Sequence, residues 1–408
     1  MIKRRLHHII YTAALLAAGL ACSPAVAYAH AGVSGPKQIQ VIRYDDSIEK
    51  TGDTGKDPDV EEDSGFTVVM VGDILLHDGI EKCARQEDGK YDYSEIFRHT
   101  KDEIEAADLA IVNEEVIIGG ESLRVTGYPS FNAPFEVADD LAESGFDVIC
   151  HATNHALDRG RKGIENCLDN WRQEHPGIMT VGIYDSEDDS RNICVYEKDG
   201  YRIAVLNYTY GTNGIPMPKD MPYAVALLDE KRVRADLARA EEVADFTIVC
   251  PHWGIEYDLG ISGDQKKWAK VFADGGADVI IGTHPHVIEP VDVIEAADGR
   301  RVPVYYSLGN FINWTSGSGK GVANRMLGAM AVVRLSKEDG NVTIKDHRVK
   351  PLVSHVRSEI NGATVYFLDE YTQAKSFLNE IRSRDADFSC CYCEDLCDRV
   401  FGKDLWRK

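Results

Sequence analysis

From Phe66 onward the chain alternates short runs of aliphatic and β-branched residues with longer amphipathic stretches. The runs at 67–72, 109–113, 147–151, 201–208, 246–251, 278–282, 303–307 and 328–335 have the length and composition of buried strands. Apolar residues at three- and four-residue spacing predict helices over 94–106, 134–144, 160–173, 229–243 and 264–274. Strands that alternate with helices predict a layered α/β domain with a largely buried sheet. Little helix separates 303–307, 328–335 and 342–350, so an antiparallel portion is expected late in the core. One core domain over residues 66–355 follows, its sheets sandwiched between helices.

Where these runs stop is more telling than where they start. Met70–Asp73, Leu109–Glu115, Asp147–His155, Phe246–Gly254 and Asp278–His286 each carry, at or beside the strand end, a carboxylate, an Asn or a His. In open α/β sheets, sites form outside the carboxyl ends of the strands, so these residues should converge on one rim. His151 lies inside its run and reads as a buried core histidine.

The flanks differ in texture. Lys3–Arg5 followed by the apolar Ile9–Ala21 read as an export signal over 1–31, too short for a comfortable membrane span. Small-residue cleavage sites follow at Ala27-Tyr28-Ala29 and Ala29-His30-Ala31, while Cys22 leaves lipidation open and the segment could also remain as an anchor. The protein is therefore expected outside the cytoplasm or at the cell surface. Residues 32–65 are rich in Asp, Glu, Gly and Ser and read as an acidic, flexible linker. Residues 356–408 read as a small helical, Cys-bearing appendage.

Charge narrows the partners. The net charge of −22 makes nucleic acid and anionic membrane surfaces poor partners. An anionic substrate would need local neutralisation, which bound divalent cations supply. In an oxidising compartment the cluster Cys390, Cys391, Cys393 and Cys397 is expected to form local disulfides rather than a zinc site. Cys150 and Cys250 sit within apolar runs and read as inert core thiols.

Metal-assisted hydrolysis needs oxygen and nitrogen ligands from several strands, with positions left for water and substrate. Asp73, Glu115, Asn154, His252, His284 and His286 are of the right types. Pro285 fixes the backbone between two of the imidazoles and limits where the rings point. A set with three imidazoles and no thiolate suits a divalent Mn, Fe or Zn and leaves the choice among them open. Cys250 is expected to stay out of that set although strand alternation puts it on the face of His252. Glu256, Tyr257 and Asn310 are candidate substrate contacts, and Asp158 is expected to orient His155 or to cap the following helix.

Asn154-His155, His252-Trp253-Gly254 and His284-Pro285-His286 resemble the motifs of the calcineurin-like metallophosphoesterase superfamily. Taken in order with VGDILLH, NEE, TNHALDRG, THPHVIEP and YSLGNF, they are similar to the CapA (PgsA-type) poly-γ-glutamate capsule biosynthesis family over about residues 66–315. The resemblance implies a four-layered α/β/β/α metallophosphoesterase-like sandwich and a part in making, exporting or trimming an anionic polymer, poly-γ-glutamate. It also implies Asp73 as the first metal aspartate, Glu115 at the bridging carboxylate, Asn154 as the amide ligand and His155 as proton donor. His252, His284 and His286 match the remaining imidazole ligands. Two positions depart from the superfamily: Leu75 stands where D-x-H carries its histidine, with His77 nearby, and Asn113-Glu114-Glu115 replaces G-D-x-x-D. One ion or two is thus left open. Two roles are implied: a metal-dependent hydrolase of a phosphoester or γ-glutamyl polymer, or a non-catalytic, surface-anchored accessory protein in a membrane synthase or exporter complex.

Overall fold

The computed structural model describes residues 38–42 and 65–407, and the expected signal and most of the expected linker lie outside them. In chain order the strands are β1 (Gln38–Ile42), β2 (Phe66–Ile74), β3 (Leu109–Glu114), β4 (Val148–Cys150) and β5 (Met179–Val181). They continue with β6 (Ile193–Lys198), β7 (Tyr201–Thr209), β8 (Phe246–His252), β9 (Val279–Ile281) and β10 (Val291–Glu295). The last are β11 (Arg301–Tyr305), β12 (Asn310–Ile312), β13 (Leu327–Glu338), β14 (Asn341–Val356) and β15 (Ala363–Phe367).

These strands form two sheets, one ordered β1-β6-β7-β8-β9-β11-β10 and the other β15-β14-β13-β2-β3-β4-β5, with β12 paired to β2. The centre of each sheet is parallel: β7-β8-β9-β11 in the first and β2-β3-β4-β5 in the second. Parallel neighbours need long crossovers, and here they are helices except between β9 and β11, where β10 intervenes. Glu230–Val243 joins β7 to β8 and Gly263–Gly275 joins β8 to β9, while Glu136–Glu143 and Gly160–Glu174 serve the second sheet. Their apolar stripes bury Leu237, Phe272, Leu141 and Leu168 among others, as expected for helices laid against a sheet.

The remaining faces of the two sheets meet. Cys250 Sγ of β8 lies 3.6 Å from Met70 Sδ of β2, and the rings of Phe66 and Tyr201 are 4.7 Å apart. The expected α/β/β/α layering and the late antiparallel portion, β13-β14-β15, are therefore both present.

Four expectations need correction. The helix expected over 94–106 is two short ones, Ser94–Phe97 and Lys101–Glu105, because Thr100 turns its hydroxyl back to the Phe97 carbonyl. The linker contains β1, which pairs antiparallel with β6 from Gln38 to Ile42. The C-terminal stretch is not a separate appendage: β15 extends the second sheet, and Phe388, Cys393 and Leu396 are buried in the common core. Its cysteines are free thiols, as are Cys83, Cys150, Cys167, Cys194 and Cys250, so the expected local disulfides are not formed. All four C-terminal cysteines fall on one helix, Cys390–Val400, where Cys393 and Cys397 pack inward as apolar side chains. No helix among the described residues is long and apolar enough to cross a membrane.

Candidate metal centre

The strand ends of both sheets converge as the apolar runs require. Asp73 ends β2, Glu115 follows β3 and Asn154 follows β4, all from the second sheet. His252 ends β8, and His284 and His286 follow β9, from the first. All six side chains are buried. Ligand atoms of Glu115, His284 and His286 lie within 4.8 Å of one another, and so do those of Asp73, Glu115 and His252.

Alternation along β3 decides which acid serves the site. Asn113 and Glu115 share one face; Asn113 donates to Asp73 Oδ1 at 2.9 Å. Glu114 turns the other way, accepts from the Val116 amide and is pushed far above the usual carboxylate range by burial. Both oxygens of Glu115 lack a hydrogen-bond partner, and so does His284 Nδ1. A buried carboxylate is ordinarily paired, hydrogen-bonded or bound to a cation, and leaving one bare is costly. Unsatisfied acceptors facing three imidazoles are what a divalent cation would fill, so the residues fit the ion that the motifs imply.

The imidazoles are not electrically alike. Burial, and then the other imidazoles, hold His252 and His284 well below the ordinary histidine value, so both are neutral, the form that binds metal. For His286, burial pulls down, but Glu115 and Asp73 prevail and lift it to about 9. Its Nδ1 lies 3.1 Å from Asp73 Oδ2 and its Nε2 is 3.5 Å from Glu115 Oε1. Without metal, His286 faces both acids through its two ring nitrogens, and metal binding would displace the proton held between them.

Neighbours fix each ring. His252 Nδ1 meets Thr283 Oγ1 at 3.0 Å, aiming Nε2 at Asn154 Oδ1, 2.8 Å away. His284 and His286 adopt φ of +99° and +57° on either side of Pro285, a conformation that costs non-glycine residues about 1–3 kcal/mol each. The Pro285 carbonyl accepts from the Tyr257 amide at 2.7 Å, which ties this turn to the loop after β8.

His155 stands beside this set. Its Nδ1 is 2.7 Å from Asp158 Oδ2, which also accepts from the Phe131 amide at 2.7 Å, and its ring packs edge-on to Phe131. Asp158 thus orients His155; it does not cap the helix, whose first turn receives no side-chain bond. Glu256 is exposed, and its charge reaches Tyr257, Glu115 and His286. Tyr257 is exposed at the mouth, its ring 5.9 Å from that of His286. Asn310, expected to touch substrate, is buried behind His286 instead: its Oδ1 meets His286 Nδ1 at 3.1 Å, and its amide donates to two carbonyls. It positions the imidazole.

Cys250 is turned into the core between the sheets, away from the ligands. His77, noted beside the missing D-x-H histidine, is held down to about 4 by burial and then by His286, so it stands near the centre. Three residues went unread in the sequence. Arg325 places its guanidinium 3.4 Å over the Tyr257 ring, Tyr210 packs on His284 at 4.6 Å, and Asn213 accepts from Asn154 and lies 3.4 Å from His155. Arg325 sits on a short 3-10 helix, Val322–Met326, and Tyr210 and Asn213 on the loop after β7; only the Gly-Thr-Asn-Gly turn around Asn213 carried a local signal.

Similar proteins cover the same stretch. The PGA biosynthesis protein CapA of Bacillus subtilis (strain 168) is 29% identical over 259 residues, 62% of this chain and 65% of its own. The capsule biosynthesis protein CapA of Bacillus anthracis is 29% identical over 266 residues, 62% of each chain. The match thus spans a little under two thirds of either relative. Among solved structures, the calcineurin-like phosphoesterase YfkN from Bacillus subtilis aligns at 14% identity and a TM-score of 0.38, over 70% of this chain and 90% of that one. Residues 67–315 match the family described as bacterial capsule synthesis protein PGA_cap, as the motifs led one to expect. The chain belongs to that family.

Proposed function

We propose that this protein is an exported, metal-dependent hydrolase of a poly-γ-glutamate capsule system, cutting a γ-glutamyl bond of the polymer. The family membership and the names of the two CapA relatives support the polymer. The observation that carries the chemistry is the bare Glu115 carboxylate, buried among His252, His284, His286 and Asp73. The basic start and the apolar run Ile9–Ala21 support export.

Asp73, Glu115, Asn154, His252, His284 and His286 would hold one or two divalent ions of Mn, Fe or Zn. When bound, such an ion supplies a Lewis acid that polarises the scissile carbonyl and makes water acidic enough to deprotonate near neutral pH. The protein's own groups do the rest. Asp158 fixes His155 through Nδ1, which leaves Nε2 to hand a proton to the departing amine. Arg325, Tyr257 and Glu256 stand at the mouth, where the guanidinium offsets the negative charge of an arriving glutamate.

The test pairs metal analysis with polymer sizing on the purified full chain. Stoichiometric metal that Asp73→Asn and His284→Ala both remove is expected, with shortening of poly-γ-glutamate by the loaded protein. His155→Ala should keep its metal and lose roughly 100-fold or more in turnover. Failure to hold metal under any loading condition would overturn the reading. A loaded protein that binds polymer and leaves its length unchanged would assign it the accessory role, and cleavage of phosphoesters alone would change the substrate.

A further inference from the structure

We infer that a cleft beside the metal centre holds an extended, carboxylate-bearing chain, and that residues 357–384, beyond the family match, form its outer wall. This rests on the polymer reading above and names where the rest of the chain lies while one bond is at the metal centre.

The cleft measures about 770 Å³. Pockets of roughly 300–1,000 Å³ enclose a drug-sized ligand, so it has room for several linked units. His77 and Tyr128 line its inner side, and both rings pack on Phe131, at 5.3 and 6.3 Å. The same Phe131 ring sits 4.6 Å from His155. One aromatic side chain therefore separates the cleft from the proposed proton donor. Trp314 forms the floor, its indole laid on Gly79 so closely that a Cβ there would fall 2.4 Å from Cδ2. Ser358, Ile360 and Arg384 close the far side.

Which ligand this takes follows from the charges left over. Three acids line the cleft, and each is engaged: Asp78 accepts from the Gly127 amide at 2.9 Å, Glu359 pairs with Arg357 at 3.1 Å, and Glu380 accepts from Ser358. Lys82 is exposed and has no hydrogen bond or ion pair among the described residues. Arg384 donates one bond to the Ser316 carbonyl. The free donors are thus those of Lys82 and Arg384, which offset the charges that Asp78 and Glu380 keep, in a protein of net charge −22 that otherwise repels polyanions. Beside these cations Tyr128 is 72% exposed and Ile360 is 51% exposed, apolar surfaces suited to methylene segments between carboxylates. A chain alternating carboxylates with short aliphatic spacers satisfies both.

Calorimetric titration of the full-length protein with a short γ-linked glutamate oligomer tests this. Lys82→Glu is expected to weaken binding by about tenfold or more, the loss of one charge-assisted bond with added repulsion, and Ile360→Asp to weaken it as well. Lys345→Glu, an equal charge change on the β13–β14 hairpin, should bind as wild type does. All three positions are exposed or at the surface, and thermal melts confirm that each variant is folded. Unchanged binding by both cleft variants overturns the inference, as does equal weakening by Lys345→Glu or absence of binding by the wild type. If these differences hold while the loaded protein cuts nothing, the hydrolase reading fails and the cleft stands.

Discussion

Glu115 is the residue on which the site turns, because burial and function pull it in opposite directions. Burial pushes its carboxyl far above the usual range, with His286 opposing, and no hydrogen bond compensates. Bound metal reverses that cost, so it should stabilise the fold by mass action, by about 2.7 kcal/mol at a free concentration 100 times Kd. Wild type should therefore melt lower after chelation, whereas Glu115→Gln should melt at the same temperature with chelator or with metal. A metal-dependent rise in the variant comparable with that of wild type would remove Glu115 from the ligand set. The six candidate ligands could be read from the sequence because each stands at or just beyond the place where an apolar run stops, a position that topology fixes before any contact is known. Arg325, Tyr210 and Asn213 could not, since they reach the site from a single 3-10 turn and a loop whose paths depend on the finished fold.

Among the elements, β2 has the tightest constraint. Gly72 precedes Asp73, and a Cβ there would lie 1.9 Å from the Gly309 carbonyl oxygen, a backbone atom that cannot swing aside. The same carbonyl accepts from the Asp73 amide at 3.0 Å, so the close approach sets the depth at which Asp73 enters the site. Gly72→Ala should cost about 1–3 kcal/mol or more through overpacking, and it should lower metal content along with the melting temperature. Retained metal at full stoichiometry would show that β12 can move without taking Asp73 with it. Long strands and crossover helices were legible because a buried sheet and a helix stripe each impose a period. β1 and β15 were not. β1 sits in a polar stretch, and β15 is five residues long in a tail whose texture is otherwise helical, so in both a short run with strand preference was masked by its flanks.

At the scale of the whole molecule, stability should depend on pH through an acid outside the ligand set. Burial raises Glu81 to about 8 although Tyr93 donates to it at 2.6 Å. The folded state therefore holds this proton above the ordinary carboxyl value of about 4.3, where the unfolded chain has already lost it. The stability it lends is complete at low pH and is lost as pH rises toward 8, on the order of a few kcal/mol. Glu81→Gln keeps an acceptor for Tyr93 and should raise the melting temperature at pH 9 far more than at pH 5; equal shifts at both would mean that Glu81 is not the titrating group. A last consequence follows from where the ligands originate. Asp73, Glu115 and Asn154 belong to one sheet and His252, His284 and His286 to the other, so neither half can assemble the set by itself. Metal capture by this set would then be a late event in folding, the ion a rivet driven only after both plates are aligned. A chain threaded outward unfolded would pass metal by in transit and load where it comes to rest, so its cargo would reflect the ions of its destination and not those of the compartment that made it.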